Sequence, residues 1–157
     1  MSLFTSAADI DRLIAALPQV DGVTQNKAAA RQSQLTKPPG SLGKLEDIAI
    51  WMAGWQRTER PDIEHGQCLV FAGNHGVVAQ GVSPFPADVT AQMVANFTHG
   101  GAAINQLCDT AGLTLSVTPL MLDTPTADFS AGPAMSHDDV LVALQAGMDA
   151  IPETCDY

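Results

Sequence analysis

Apolar positions recur along this chain with two different periods, and the change from one to the other divides it. In residues 6–17, Ile10, Leu13, Ile14 and Leu17 form a stripe at helical spacing, with Ser6 and Asp9 as a capping pair and Pro18 as the stop. Residues Thr24 to Leu35, alanine-rich and polar, read as a second helix that ends before Lys37-Pro38-Pro39-Gly40. Ser41 then opens a third helix, with Leu45, Ile48, Met52 and Trp55 sharing a face. Beyond it the pattern becomes short apolar runs between helices. Gln67 to Ala72 reads as a buried strand, and residues 88–98 and 102–111 as helices broken at Gly100-Gly101. Leu113, Leu115 and Val117 alternate as a second strand, and a loop rich in Pro, Asp and Gly spans roughly 119–135. Ser136 with Asp139 makes another capping pair, for a helix carrying Val140, Leu141, Leu144 and Met148.

Strand, helix, strand, helix predicts an α/β fold. The expected architecture is a Rossmann-like parallel sheet with helices on both faces and a right-handed crossover, preceded by a small helical segment. The division falls at residues 1–60, helical, and 61–157, α/β. A parallel sheet needs several strands covered on both faces, and only two are evident. The chain therefore reads as the first half of a larger fold.

Composition narrows the class. With 157 residues and 46% hydrophobic content, the chain can form a core. Its formal charge of −10 is unevenly spread: all seven basic residues lie in the first 60 positions, and positions 61–157 hold eleven acids with no Lys or Arg. Nucleic acid is not an expected partner, because affinity for its backbone comes mainly from Lys and Arg. A phosphate bound by the second region must use backbone N–H groups and helix N-termini, or a cation from elsewhere. Cys68, Cys108 and Cys155 include no CxxC pair and read as reduced thiols, the first two as small buried hydrophobes. The start lacks a basic n-region, and no apolar run approaches the ~18 residues of a membrane span. A cytoplasmic protein with no membrane contact is expected.

The candidate chemistry gathers after the first strand, in LVFAGNHGVVAQGVSPFPADVTAQMVAN (residues 69–96). Ligands of α/β proteins collect at the carboxyl ends of strands, and glycines allow close backbone approach there. A loop of about 15 residues is long for a compact fold without a use. With Phe85, Met93 and few charges, it suits a flat apolar ligand. By pattern alone Met93 and Phe97, at helical spacing, read as core, and His75 reads as a structural hydrogen bonder rather than a base. His65, His75, His99 and His137 show no metal-ligand spacing, so no metal or cofactor is expected.

Three blocks carry a family resemblance: LTKPPGSLGKLE (35–46), FAGNHGVVAQGV (71–82) with VTAQMVANFTHGGAA (89–103), and GPAMS (132–136). In this order they resemble the nicotinate-nucleotide:dimethylbenzimidazole phosphoribosyltransferase family of cobalamin nucleotide-loop assembly. The resemblance implies transfer of phosphoribose from nicotinate mononucleotide to dimethylbenzimidazole, by a homodimer acting on these small molecules. The base nitrogen attacks C1′, an already cationic pyridinium leaves as nicotinate, and a carboxylate takes the azole proton. The resemblance places Phe85 and Met93 against the benzimidazole, with Ser83, Pro84 and Gln92 nearby. Asn74, His75 and Gly76 would support the loop, Asn74 standing where many members carry Asp. Lys37 and Ser41 offer an anion or rim contact, or simply a capped turn between helices. The family's glycine-rich segment and catalytic glutamate are expected beyond Tyr157, so residues 1–157 alone are expected to be inactive. A non-catalytic benzimidazole-binding module, or an accessory subunit completed by a partner chain, remains an alternative.

Overall fold

A computed structural model describes residues 5–64 and 66–151, so that His65 and Cys155 lie outside the described residues. Contacts divide the chain into two compact units, residues 12–63 and residues 64–151 together with the described part of 1–11. Helix α1 (Ala7–Ala15) starts on the expected pair, since the Asp9 carboxylate accepts from the N–H and hydroxyl groups of both Thr5 and Ser6 at 2.8–3.1 Å. Those donors, the Thr5 hydroxyl foremost, hold the Asp9 carboxyl down at about 2. The helix ends short of Leu17, and the expected stripe is not buried: Ile14 and Leu17 are both exposed.

In the helical unit, α2 (Gly22–Gln32) and α3 (Lys44–Gln56) pack on each other. The start of α2 lies two residues before the expected Thr24, because Asp21 is the cap: its carboxylate accepts from the N–H groups of Val23 and Thr24 and from the Thr24 hydroxyl at 2.7–3.2 Å. Small residues set the contact. Ala28 and Thr24 of α2 and Ala53 and Gly54 of α3 are the buried ones, and the Asp21 N–H donates to the Gly54 carbonyl at 3.1 Å. That contact overrides the expected apolar face of α3, whose Leu45 and Ile48 are exposed along with Trp51, while Trp51 and Trp55 meet edge to face. The expected Ser41 cap is also absent. Gly40 and Gly43, both at positive φ, turn the chain into α3, and the Glu46 carboxylate reaches back to the Leu42 N–H at 3.2 Å. The same oxygen accepts from the Lys37 ammonium at 2.6 Å, with both side chains largely buried.

In the second unit, β1 (Gln67–Gly73) and β2 (Thr114–Leu120) pair in parallel, from Gln67 opposite Thr114 to Gly73 opposite Leu120. Between them run α4 (Asp88–Thr98) and α5 (Ala103–Ala111), and both contact β2. The expected α/β order therefore holds. At the α4–α5 corner Gly100 has φ +75, and a Cβ on Gly101 would run into the Asn96 side chain. Asn105 ties the corner, accepting from the Ala102 N–H at 3.1 Å and donating to the Phe97 carbonyl at 2.9 Å. Cys108 is buried as expected, and Ala102 and Leu141 are the other buried apolar residues described in this unit, while Cys68 is half-buried. Helix α6 (His137–Asp149) opens on the expected reciprocal pair, Ser136 and Asp139, at 2.6–3.1 Å. No helix of the described residues is long and apolar enough to cross a membrane.

The Lys37–Glu46 pair has a pH signature. The Lys37 ammonium, then the Leu42 N–H, holds the Glu46 carboxyl below its ordinary 4.5. A depressed carboxyl contributes stability that is present above its unfolded value and lost as pH falls through the folded one. Chemical denaturation across that acid range should show wild type and Glu46→Gln converging as pH falls. At neutral pH Lys37→Met should be the more destabilised variant, because it leaves a desolvated carboxylate without its cation. A Lys37→Met protein as stable as Glu46→Gln at neutral pH goes against this account.

Candidate active site

At the carboxyl ends of β1 and β2 the two following loops stay joined. His75 pairs with Thr126 in parallel fashion, the Gly76 N–H donates to the Thr126 carbonyl at 2.8 Å, and the Thr126 N–H to the Asn74 carbonyl at 3.1 Å. The approach is so close that a Cβ on Gly76 would lie 2.6 Å from the Thr126 carbonyl oxygen and 2.8 Å from the backbone of Ala127 and Asp128. Only glycine fits there, because the obstructing atoms are backbone and cannot swing aside. Asn74 extends the seam, its side-chain amide donating to the Leu122 carbonyl at 2.9 Å. An ionised aspartate at this position could only accept and would face that carbonyl with a second acceptor.

The glycine-rich stretch then folds into a 3-10 turn, Gly76–Gln80, closed by Gly81 at φ +74. Gln80 donates to the Asp128 carboxylate at 2.6 Å, and the other Asp128 oxygen accepts from the Ser130 N–H and hydroxyl at 2.9 and 2.7 Å. The Ser130 hydroxyl first, then Gln80, holds the Asp128 carboxyl below the usual aspartate range. His75 is exposed, and its Nδ1 lies 3.3 Å from the Thr126 hydroxyl oxygen. That ring nitrogen serves the seam.

From this anchored turn the chain runs into Ser83-Pro84-Phe85-Pro86. The Phe85 N–H donates to the Ser83 hydroxyl oxygen at 3.2 Å, and that hydroxyl lies 3.3 Å from the Phe85 carbonyl oxygen. With prolines on both sides limiting the backbone, Phe85 stands 63% exposed. Pro84 and Gln92 are exposed, and Met93, on α4, is 38% exposed. Met93 is thus not a core residue of this unit, whereas Phe97 is half-buried.

A cleft of about 420 Å³ lies between the loop after β2 and the start of α6, lined by Met121, residues 124–127, residues 133–136 and Asp139. The GPAMS block thus borders the same loop that the glycine-rich stretch is tied to, while Ser83, Pro84, Phe85, Gln92 and Met93 lie outside the cleft lining. Met121 enters the loop at φ +47, an uncommon conformation for a side-chain-bearing residue. At the α6 N-terminus the Ser136 hydroxyl and N–H donate to the Asp139 carboxylate, which holds that carboxyl low, while the Asp139 N–H donates back to the Ser136 hydroxyl oxygen. Asp139 therefore acts as dipole compensation rather than as a proton carrier. In the helical unit Lys37 is engaged by Glu46, and Ser41 caps nothing. Among the described residues no His, Cys, Asp and Glu cluster forms a metal site.

Sequence reasoning missed Gln80, Thr126 and Asp128. No local signal marks them, because the two loops that carry them meet only across the seam, with Gln80 and Asp128 48 residues apart.

A phosphoribosyltransferase family profile matches residues 17–157. The chain belongs to this phosphoribosyltransferase family. The nicotinate-nucleotide–dimethylbenzimidazole phosphoribosyltransferase of a Jannaschia species is 55% identical over 156 residues, covering 99% of this chain and 46% of that protein. The enzyme of the same name from Ruegeria pomeroyi is 55% identical over 152 residues, covering 97% of this chain and 45% of that protein. A crystal structure of the Thermus thermophilus enzyme of that name superposes with a TM-score of 0.75 at 39% identity, covering 83% of this chain and 44% of that one. The chain spans about half the length of the curated relatives it matches. In this phosphoribosyltransferase chain, then, the loop that follows β1 is not loose but pinned along its first half.

Two variants of the full-length protein test the seam. Gly76→Ala should cost about 1–3 kcal/mol, the usual range for forcing atoms into a packed site, read as a lower melting temperature. His75→Gln should lower stability by about 1 kcal/mol or less, the contribution of one neutral hydrogen bond. Its kcat should stay well clear of the about 10²–10⁴-fold loss that removal of a general base causes. A steep kcat loss at an unchanged melting temperature would make His75 the base.

Proposed function

We propose that this chain is the base-binding half of an enzyme that transfers phosphoribose from nicotinate mononucleotide to dimethylbenzimidazole. The observation that carries the reading is Phe85, an exposed aromatic ring fixed between two prolines beyond the carboxyl end of β1. An exposed ring on a restrained backbone loses little freedom on stacking, which favours binding of a flat base. Met93 supplies a soft, adaptable wall, Gln92 and Pro84 flank it, and Ser83 acts on the base through the Phe85 backbone it holds. Asn74, His75 and Gly76 support the loop. Lys37 supports the turn into α3 by pairing with Glu46, in place of an anion contact.

The names of the relatives support the substrates, and the site's composition supports the chemistry. Cleavage of a pyridinium glycoside releases a neutral ring nitrogen, so the leaving group needs neither an acid nor a metal. The demand is for two flat rings held in line with C1′ and a carboxylate to take the azole proton. That carboxylate, with the glycine-rich phosphate segment, belongs to the part of the protein outside residues 1–157. The reading includes a cytoplasmic homodimer with a helical segment at 1–60 and the first half of the α/β domain at 61–157. Exposed apolar residues such as Leu45, Ile48 and Trp51 fit a chain that has further partners to pack against.

The full-length protein, given both substrates, should form α-ribazole phosphate and nicotinate. Phe85→Ala should raise KM for dimethylbenzimidazole by roughly 5–150-fold, from the about 1–3 kcal/mol that stacking of a base on an aromatic ring contributes. KM for nicotinate mononucleotide should barely move. Equal effects on both substrates would indicate a general defect, and no effect would remove Phe85 from the site.

A further inference from the structure

The cations of this acidic chain are not merely confined to its first 60 residues; four of the seven converge on one side of the helical unit. Lys27, Arg57 and Arg60 border a cleft of about 380 Å³, and Arg31 and Arg60 border a second of about 280 Å³. Glu59 and Arg60 line both, so the two clefts adjoin. The lining carries four cations and one carboxylate, a formal +3 within a protein at −10.

These charges are only partly answered. Lys27 lies 3.5 Å from Glu59, which offsets the one carboxylate in the lining. Arg57 lies 4.0 Å from Asp21 and donates to the Gln19 carbonyl at 3.3 Å, leaving donors of its five unused. The guanidinium groups of Arg31 and Arg60 have no partner among the described residues. In the second cleft the Gln32 side-chain oxygen is buried and accepts no hydrogen bond.

We propose that this double cleft of the helical unit is a binding site for a small anion with two linked phosphates. Arginine forks match phosphate oxygens, and the adjoining clefts place arginine at two neighbouring positions with Arg60 common to both. One phosphate can sit between Arg60 and Arg57 and a second, linked one between Arg60 and Arg31. Nucleic acid does not fit as well, since a patch of four cations on a chain of net −10 repels a long polyanion beyond the cleft.

The test is calorimetric titration of the full-length protein with inorganic pyrophosphate and, separately, orthophosphate. Pyrophosphate should bind saturably and more tightly than orthophosphate. The Arg31→Gln/Arg60→Gln protein should bind it about tenfold or more weakly, the loss expected for charge-assisted hydrogen bonds. Its melting temperature and its KM for nicotinate mononucleotide should stay at wild-type values. If the double variant melts early, Arg60→Gln alone, at an exposed side chain, should still weaken binding. Absence of saturable pyrophosphate binding, or equal affinity in the variants, overturns the proposal. A raised KM for nicotinate mononucleotide in a stably folded variant overturns it too, by placing these arginines in the substrate's own phosphate site.

Discussion

Two parallel strands normally part company where their loops leave the sheet, since nothing in the ladder beyond that point holds them. Here the backbone remains joined past Gly73 and Leu120, through His75 and Thr126, and it can do so only because Gly76 carries no side chain. The rest of the second unit's upper surface depends on that approach. It positions the 3-10 turn from which Ser83 and Phe85 emerge, and it fixes the loop that walls the cleft beside α6. Asn74–Leu122 on one side and Gln80–Asp128 on the other brace the seam. Loops of this length are ordinarily mobile, and a mobile binding surface loses conformational entropy when the ligand arrives. Pinning the first half in advance would remove part of that cost and, on the proposed reading, leave the exposed residues 84–86 to meet the ligand.

Much of this was legible in the residues, and the failures have physical causes. The strand at 67–73, the α4–α5 break and the Ser136–Asp139 cap depend on local chemistry, so local reading finds them. The α3 face and the Ser41 cap do not. Leu45 and Ile48 look inward by period, but the partner helix meets α3 at Ala53 and Gly54, where close approach outweighs side-chain hydrophobicity. Ser41 has the right chemistry for a cap and the wrong backbone, because two glycines at positive φ take over the turn and Glu46 supplies the acceptor. Gln80 and Asp128 are 48 residues apart, and no local pattern links them.

The Asn74 position illustrates how one substitution is absorbed. A carboxylate there could carry charge or orient the neighbouring imidazole, but it could not donate to the Leu122 carbonyl as the amide does. In this chain the residue before His75 is therefore committed to the seam. An Asp–His relay has no first member, and His75 has its Nδ1 turned to Thr126. On the proposed reading, the azole proton goes to a carboxylate elsewhere in the protein.

Electrostatics reinforce that division. The second region has no Lys or Arg at all, so it has no permanently cationic side chain to set against a phosphate. The α6 N-terminus, the obvious backbone alternative, carries the Asp139 carboxylate, bonded to the Ser136 N–H and hydroxyl, and so presents a negative charge there. A surface of this kind repels anions and accepts flat, weakly polar rings. That suits the half-site proposed above, which would take the neutral azole and leave the anionic nucleotide to other residues. On the proposed reading the two substrates would be distinguished by charge before any shape selection acts, because the region that carries Phe85 has no Lys or Arg and eleven acids.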